Sequence, residues 1–587
     1  MVACISMFFP AALSTAVWCH CSQKKRSWAH ILSKYLVSVL LINVLSLGAM
    51  AAVYENLTAV FESGTFLLKY LVMSVVLAVA LSVAGAWHLK KKMTVSHELS
   101  DCRRKNQFDC IMLIFYAIIL FLIHVVRIGN NNYWGDECYS IKLSRMNIPN
   151  MLSETASDVH PPLYYLLLQL VCRVLGDGSF AYRITSLIPF GIFLVLSVTV
   201  VRKKFGSECC AILITFAGLL DSSITYNLEA RMYSWGLLFV FMSYYMLYKI
   251  LHERNNWNYV WFAAASLCAA YTHYYCLLIV AFFYLALLIM SAVDCKKYLK
   301  PVLITCVATV AGYLPWFLIL IQSFQRVSDS FWIDGYPPLR SLLAYLFLTR
   351  SPYHYLLLAI FMVTTAVYFY RELNIKLVRS QIGKKRRVRV DLSGLTISTE
   401  CIWVLAGLCS ILGTCVVGIL VSILIRPLIL LRYLYPAAVI VWLVMGIQIS
   451  KLKRKKTFSV LLILLVFLLT IPSYYDIVTE ENRQLQMLEK TLQATTAQIT
   501  SEDQILTTND HIAWTVSAYY YPCVSCKMYD VNSIETSENG MTYWLFIENT
   551  EIETTLQELQ SREIAYEEVV TDGNLGTNFV NVYKVVS

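Results

Sequence analysis

The sequence predicts a mainly α, polytopic membrane protein of about 13–14 transmembrane helices, ending in a small α/β domain outside the membrane. Three observations carry that prediction. Of the 587 residues, 58% are hydrophobic and only 15% charged, and the mean hydropathy of +0.59 lies beyond that of soluble globular chains. Apolar runs long enough to cross a hydrocarbon core of about 30 Å recur along the chain between short basic clusters. The acids gather at the end: positions 473–587 hold 18 of the 38 acidic residues and 5 of the 48 basic ones, a net −13 in a chain of formal charge +10.

Taken in order, residues 1–19 are apolar, but Lys24, Lys25 and Arg26 follow the run instead of preceding it, which favours an anchor over a cleaved signal peptide. Basic clusters recur at 24–26, 90–92, 103–105, 202–204, 296–300, 371–389 and 451–456, and the positive-inside rule puts all of them in the cytoplasm. The excess of positive charge is therefore topological and implies membrane lipids, with no nucleic-acid partner. Parity then tests the assignment. Spans near 32–54 and 66–88 form a hairpin, and 108–127 runs outward. The stretch 161–176, short and preceded by Pro-Pro, reads as a helix at the interface, and 180–201 returns inward. Spans near 208–226, 233–251, 258–272, 274–293, 302–322, 354–371, 401–424, 433–449 and 458–475 then alternate with every basic cluster inside.

The organisation follows: extra N-terminal transmembrane helices over 1–100, a membrane core over 101–475, and an extracytoplasmic domain over 476–587. In the last, strands at 505–508, 527–531, 542–548 and 579–586 alternate with helices at 511–521 and 551–562. The basic stretch Lys384 to Arg389 reads as a solvated cytoplasmic loop near lipid headgroups. Most of the 18 cysteines lie singly in apolar spans as small hydrophobes, and Cys523 and Cys526 form the one close pair able to make a disulfide outside the cell.

With this topology, one face collects Asp136, Glu137, Asp158, His160, Arg183, Glu229, Arg231, His273, Arg426 and Arg432 at the outer ends of spans. Arginines are scarce on that side by the positive-inside rule, so four of them call for an anionic partner such as a lipid phosphate. Carboxylates supply the other half, because a base that takes a proton from a hydroxyl must be within hydrogen-bond reach of it. Acids and arginines at one membrane face suit sugar transfer from a phosphate-linked lipid.

The pair Asp136-Glu137 after the first core span, then Asp158-Val159-His160-Pro161-Pro162-Leu163, resembles the first external loop of protein O-mannosyltransferases and bacterial aminoarabinose transferases, both in the GT-C glycosyltransferase superfamily. Glu229-Ala230-Arg231-Met232-Tyr233, Thr272-His273-Tyr274 and Arg432-Tyr433 through Pro436 are similar to bacterial, family 39-like members. The resemblance implies a GT-C-like membrane core and an inverting transferase that uses a polyprenyl-phosphate sugar. It makes Asp136 the catalytic base and leaves the acceptor, a lipid, glycan or protein, open. Two departures limit it: His160 stands where aminoarabinose transferases carry a lysine, and the loop from Gln322 to Arg340 is too short for the sugar-binding insert of protein O-mannosyltransferases.

Each residue has a plainer reading beside the functional one. Asp136 could be a helix N-cap or a structural ion pair. Glu137 could bind sugar hydroxyls as a second catalytic-site acid, or only repel the Asp136 charge. Asp158 could cap the following helix, and His160 could pack beneath the Pro-Pro turn. Arg183 and Arg432 are the leading phosphate contacts, whereas Arg231 could simply pair with Glu229, and His273 could be an interfacial anchor. No cofactor is certain: Asp136, Glu137, Asp158 and His160 leave room for a divalent cation, yet arginines alone can stabilise the developing charge, and no metal ligand is assigned. The alternative function is a transporter or lipid-carrier flippase, whose charges would sit near the midplane instead of at one face.

Overall fold

The structure, a computed structural model, describes residues 98–329 except 159, 254 and 294; residues 354–373, 376–382, 385–391 and 397–520 except 426; and residues 525–535 and 542–586 except 577. The expected spans at 32–54 and 66–88, together with Arg426 and Cys523, lie outside them. The chain divides into two compact units, one ending at Val126 and one beginning at Arg127. In the first, α1 is Glu98–Val125, apolar enough over Gln107–Val125 to cross a membrane.

The second unit opens with three short helices, α2 (Gly135–Arg145), α3 (Ile148–Ser157) and α4 (Leu163–Leu175). Then come α5 (Ser179–Leu196), prolonged by a π turn and one further turn to Phe205, α6 (Ser207–Leu219) and α7 (Asp221–Tyr226). The long helices α8 (Tyr233–His252), α9 (Trp257–Thr272), α10 (Tyr274–Val293) and α11 (Cys295–Asp329) follow. Beyond them lie α12 (His354–Glu372), α13 (Thr399–Leu424), α14 (Tyr435–Ser450) and α15 (Lys455–Thr496). Among the described residues nine helices are long and apolar enough to span, so this is a multi-pass membrane protein.

The hub is α14, in which every residue from Tyr435 to Ile449 is buried. Apolar on all sides, it could face lipid or protein, and here α6, α8, α12, α13 and α15 pack against it. Small residues allow the closest approaches: a Cβ on Gly446 would stand 3.0 Å from the Cys209 carbonyl oxygen. Outer helices differ in kind. On α11, Leu303, Ile304, Val307 and Val310 are exposed, as befits side chains facing lipid.

Two expectations are corrected. The span expected at 208–226 is broken: Leu220 is extended (φ −61°, ψ 145°) and Asp221 starts a new helix. Carbonyls freed inside a membrane need donors, and the Ser223 hydroxyl donates to Phe216 O at 3.1 Å and Asn227 Nδ2 to Ala217 O at 3.0 Å. Residues Lys385 to Arg389 of the basic stretch expected as a loop lie on a strand: β1 (Lys376–Ile382) and β2 (Lys385–Asp391) pair antiparallel, in register from Lys376 opposite Asp391.

Helix α15 runs 42 residues, about 63 Å at 1.5 Å per residue and so roughly twice the hydrocarbon thickness. Its far end joins the C-terminal domain, the one expected outside the membrane, where Leu488 enters the apolar core beside the sheet. That sheet has the order β4-β3-β5-β7-β6, with β3 (Gln504–Thr507) parallel to β4 (Ser525–Met528) and β5 (Thr542–Glu548). The closing β7 (Asn578–Val586) runs antiparallel to β5 and to β6 (Tyr566–Leu575). Side chains alternate as the pleat requires: Ile505, Trp544, Phe546 and Val582 face α16 (Asp510–Tyr520), and Leu506, Leu545, Ile547 and Tyr583 face α17 (Val531–Glu535) and α18 (Ile552–Ser561). The expected strands and helices are present, with the strand expected at 527–531 displaced to Ser525–Met528; β6 and α17 are additions. Cys526 is a free thiol among the described residues.

Candidate active site

The site is built on the first turn of α2. Trp134 is its extended N-cap residue (φ −95°, ψ 168°), and its N–H reaches Glu137 Oε2 at 3.3 Å. Both acids sit where the helix dipole favours negative charge, but consecutive residues point about 100° apart, and their surroundings differ accordingly.

Asp136 keeps about a fifth of its side chain exposed, with Oδ2 3.3 Å from Arg432 Nη2 and 3.5 Å from Arg231 Nη2. Arg432 comes from the 3-10 turn Leu431–Leu434 that leads into α14, and its guanidinium lies 4.9 Å over the Trp134 ring and 5.7 Å from that of Tyr433. Arg231 comes from the buried turn between α7 and α8, and its Nη1 also donates to the Asp136 carbonyl at 3.1 Å, the Ser140 hydroxyl at 3.2 Å and the Tyr165 hydroxyl at 3.4 Å.

Glu137 is buried and enclosed. Oε1 pairs with Arg183 Nη1 and accepts the Ala230 N–H at 2.7 Å. Burial pushes this carboxyl up, against Arg183 and the Ala230 and Trp134 N–H groups, which favour the carboxylate. Arg183 spends its other donors on the carbonyls of Asn130 at 3.1 Å, Asn132 at 2.8 Å and Leu228 at 3.2 Å. The pair thus ties α2, α5 and the 228–230 turn together, with Arg183 directed at protein acceptors.

Asp158 ends α3, its N–H donating to Glu154 and Thr155 carbonyls, while Pro162 occupies the N-cap position of α4. Its Oδ2 lies 3.1 Å from His160 Nδ1, and His160 Nε2 lies 3.3 Å from Arg231 Nη2. An arginine only donates, so Nε2 accepts and Nδ1 carries the proton to Asp158. A chain of contacts therefore runs Asp158, His160, Arg231, Asp136. His273 Nδ1 accepts the Tyr275 N–H at 3.1 Å, which puts its proton on Nε2; its ring stands 5.9 Å from that of His160 and 4.9 Å from that of Tyr433. The Glu229 carbonyl accepts the Ser186 hydroxyl, and burial with Glu137 nearby pushes its carboxyl up to about 8 despite Arg183, Arg432 and Arg231.

Trp134 Nε1, Glu229 Oε2, Tyr233 Oη and His273 Nε2 are buried without a hydrogen-bond partner among the described residues. Buried polar atoms are normally satisfied, so this cluster beside Arg231 and Arg432 has hydrogen-bonding capacity for a polar ligand. The site brings seven of the nine predicted residues together around Asp136 and its partners, and sets Arg183 and Glu137 behind them as a pair. Sequence reasoning missed Trp134, Tyr233 and Tyr433, whose one signal was adjacency to a predicted charge. Among the described residues, no three His, Cys, Asp or Glu side chains converge as a metal site. Glu137, turned toward Arg183, does not join Asp158 and His160.

Residues 159–317 match the family model described as dolichyl-phosphate-mannose-protein mannosyltransferase. That segment contains His160, Arg183, Glu229, Arg231 and His273; Asp136, Glu137, Asp158 and Arg432 flank it. No curated protein matches. Among solved structures, ArnT from Cupriavidus metallidurans in the apo state aligns at 13% identity and a TM-score of 0.44 over 81% of this chain and 97% of that one. The same protein bound to undecaprenyl phosphate aligns at 13% identity over the same shares, with a TM-score of 0.45. Through residues 159–317, this multi-pass membrane protein resembles the glycosyltransferases of the GT-C superfamily.

Proposed function

We propose that the protein is an inverting glycosyltransferase that moves a sugar from a polyprenyl-phosphate donor to an acceptor at the outer membrane face. The observation that carries the reading is the partly exposed Asp136 carboxylate held between Arg432 and Arg231 at 3.3 and 3.5 Å. Asp136 takes the proton of an acceptor hydroxyl as its oxygen attacks the anomeric carbon. The bond from that carbon to the phosphate oxygen breaks in the same displacement, which inverts the centre, and the electron pair leaves on polyprenyl phosphate.

The leaving phosphate gains a negative charge, and preorganised donors aimed at such a charge are the largest contribution in many enzymes. Arg432 supplies them directly and Arg231 from deeper in the site, while His273 Nε2 and Tyr233 Oη are donors for the phosphate or the sugar. Arg183 and Glu137 act as positioning residues. The mannosyltransferase match supports the donor class, and the basic clusters, which the positive-inside rule assigns to the cytoplasm, support the outer face.

The test uses purified protein in liposomes with a panel of labelled polyprenyl-phosphate sugars and a membrane extract as acceptor source. The expected result is transfer of label with release of free polyprenyl phosphate, lost in Asp136→Asn. Relocation of intact donor between leaflets without cleavage would instead make the protein a carrier.

A further inference from the structure

We infer that Tyr519, on helix α16 of the outer domain, is a positioning residue for the Asp136 turn. The inference rests on the proposed role of Asp136. The Tyr519 hydroxyl accepts the Tyr133 N–H at 2.8 Å and donates to the Asn131 carbonyl at 2.9 Å. One side chain thus brackets the backbone immediately before Trp134, the N-cap of the helix that carries Asp136. Its ring also stacks on that of Tyr133, centroids 5.6 Å apart at 27°.

Other contacts act on the same segment from the same domain. Gly576, in the β6–β7 turn at φ +66°, presses on Tyr133: a Cβ there would collide with the Tyr133 carbonyl and stand 3.4 Å from Tyr519 Oη. Position 576 therefore requires glycine both for its backbone angle and for the space. Gln484, on the outer half of α15, accepts from Asn132 Nδ2 at 2.8 Å. At the other end of α2, Arg145 donates to the last-turn carbonyls Ser517 O at 2.7 Å and Ala518 O at 3.4 Å. Both ends of the helix that bears the base are fastened to the outer domain.

Residues 127–134 form no long element that could hold themselves in place, so the fastening has a consequence for chemistry. A misplacement of about 1 Å at a catalytic group can lower a rate about 100-fold. Arg432 and Arg231 come from the 3-10 turn before α14 and from the α7–α8 turn, whose backbones Tyr519 does not hold. Its loss thus acts on turnover far more than on donor affinity.

The experiment compares wild type, Tyr519→Phe, Gly576→Ala and, as a control on the exposed edge strand, Glu567→Gln. It uses the full chain in liposomes and the donor that the labelled panel identifies. Expected for Tyr519→Phe is a fall in kcat of about tenfold or more with donor KM within about twofold. Amide exchange over residues 130–138 quickens, while strands β3 and β5 stay protected. Gly576→Ala gives the same pattern through a different lesion, and carries the test if Tyr519→Phe does not fold. Unchanged kcat or unchanged exchange over 130–138 overturns the inference, as does faster exchange throughout the sheet with kcat and KM moving together, which marks a stability residue. Asp136→Asn, measured in the same preparation, separates the two readings: if it stays active the base assignment fails, whereas if it is dead and Tyr519→Phe behaves as wild type, only the positioning role fails.

Discussion

Asp136 and Glu137 are neighbours in sequence and opposites in environment. The side chain of Glu137 is 2% exposed and meets an arginine and two backbone N–H groups. That of Asp136 is 22% exposed and meets two arginines that arrive from separate parts of the membrane core. The difference teaches that a carboxylate beside a membrane is not functional by virtue of position alone. An enclosed acid whose oxygens are all taken up by the protein builds structure, and one with an open side and cationic neighbours can still meet a substrate.

The largest effect that tests this contrast is Asp136→Asn. A positioned general base contributes about 10²–10⁴-fold, so turnover should fall by that much while thermal unfolding in detergent stays near wild type. Full activity in this variant would erase the distinction. Glu137→Ala should do the reverse. It strands Arg183 in a buried site, and breaking such a pair costs about 3–5 kcal/mol, read as a marked loss of unfolding temperature. A stable but inactive Glu137→Ala protein would exchange the roles of the two acids.

The arginines sharpen the same comparison at a smaller scale. Charge-assisted hydrogen bonds contribute about 1.5–3 kcal/mol each, so Arg432→Ala should raise donor KM by about tenfold or more and leave the fold intact. Arg183→Ala, which removes the partner of Glu137 and the donors to three carbonyls, should fail first in stability. If Arg183→Ala folded normally and lost only donor affinity, Arg183 would be the phosphate contact after all.

Much of the fold was legible because lipid imposes length and apolarity on every spanning helix, and the strands of the C-terminal domain followed their period-two pattern. The break at Leu220 went unread because the expected span carried the apolar stretch ending at Leu220 on through Asp221, Ser222 and Ser223, although an acid and two serines there suit a helix start; the repair by Ser223 and Asn227 is tertiary. Strand β6 was missed because it is an irregular edge, with register shifts between Glu568 and Val570 and between Val570 and Gly573, so its side chains do not alternate cleanly. At the site, charge type and span ends identified the participants. Which arginine served which acid depended on packing, and the reach of Tyr519 to the Asp136 loop across 386 positions of sequence left no local signal.

The smallest effect concerns Glu229, which lies between the two environments. Its Oε2 is buried without a partner among the described residues, and burial together with Glu137 raises its carboxyl from the ordinary 4.5 to about 8. An acid with a raised folded-state pKa binds its proton more tightly in the native protein than in the unfolded chain. Its stabilising contribution is therefore complete below the unfolded value and declines as pH climbs through the folded value, levelling off above it. Glu229→Gln keeps the shape and removes the titration. The unfolding temperature of wild type minus that of Glu229→Gln should thus decrease from about pH 5 to about pH 9. A constant difference across that window would mean that Glu229 is ionised in the native protein and belongs with Glu137, as an acid whose charge the surrounding arginines fully compensate.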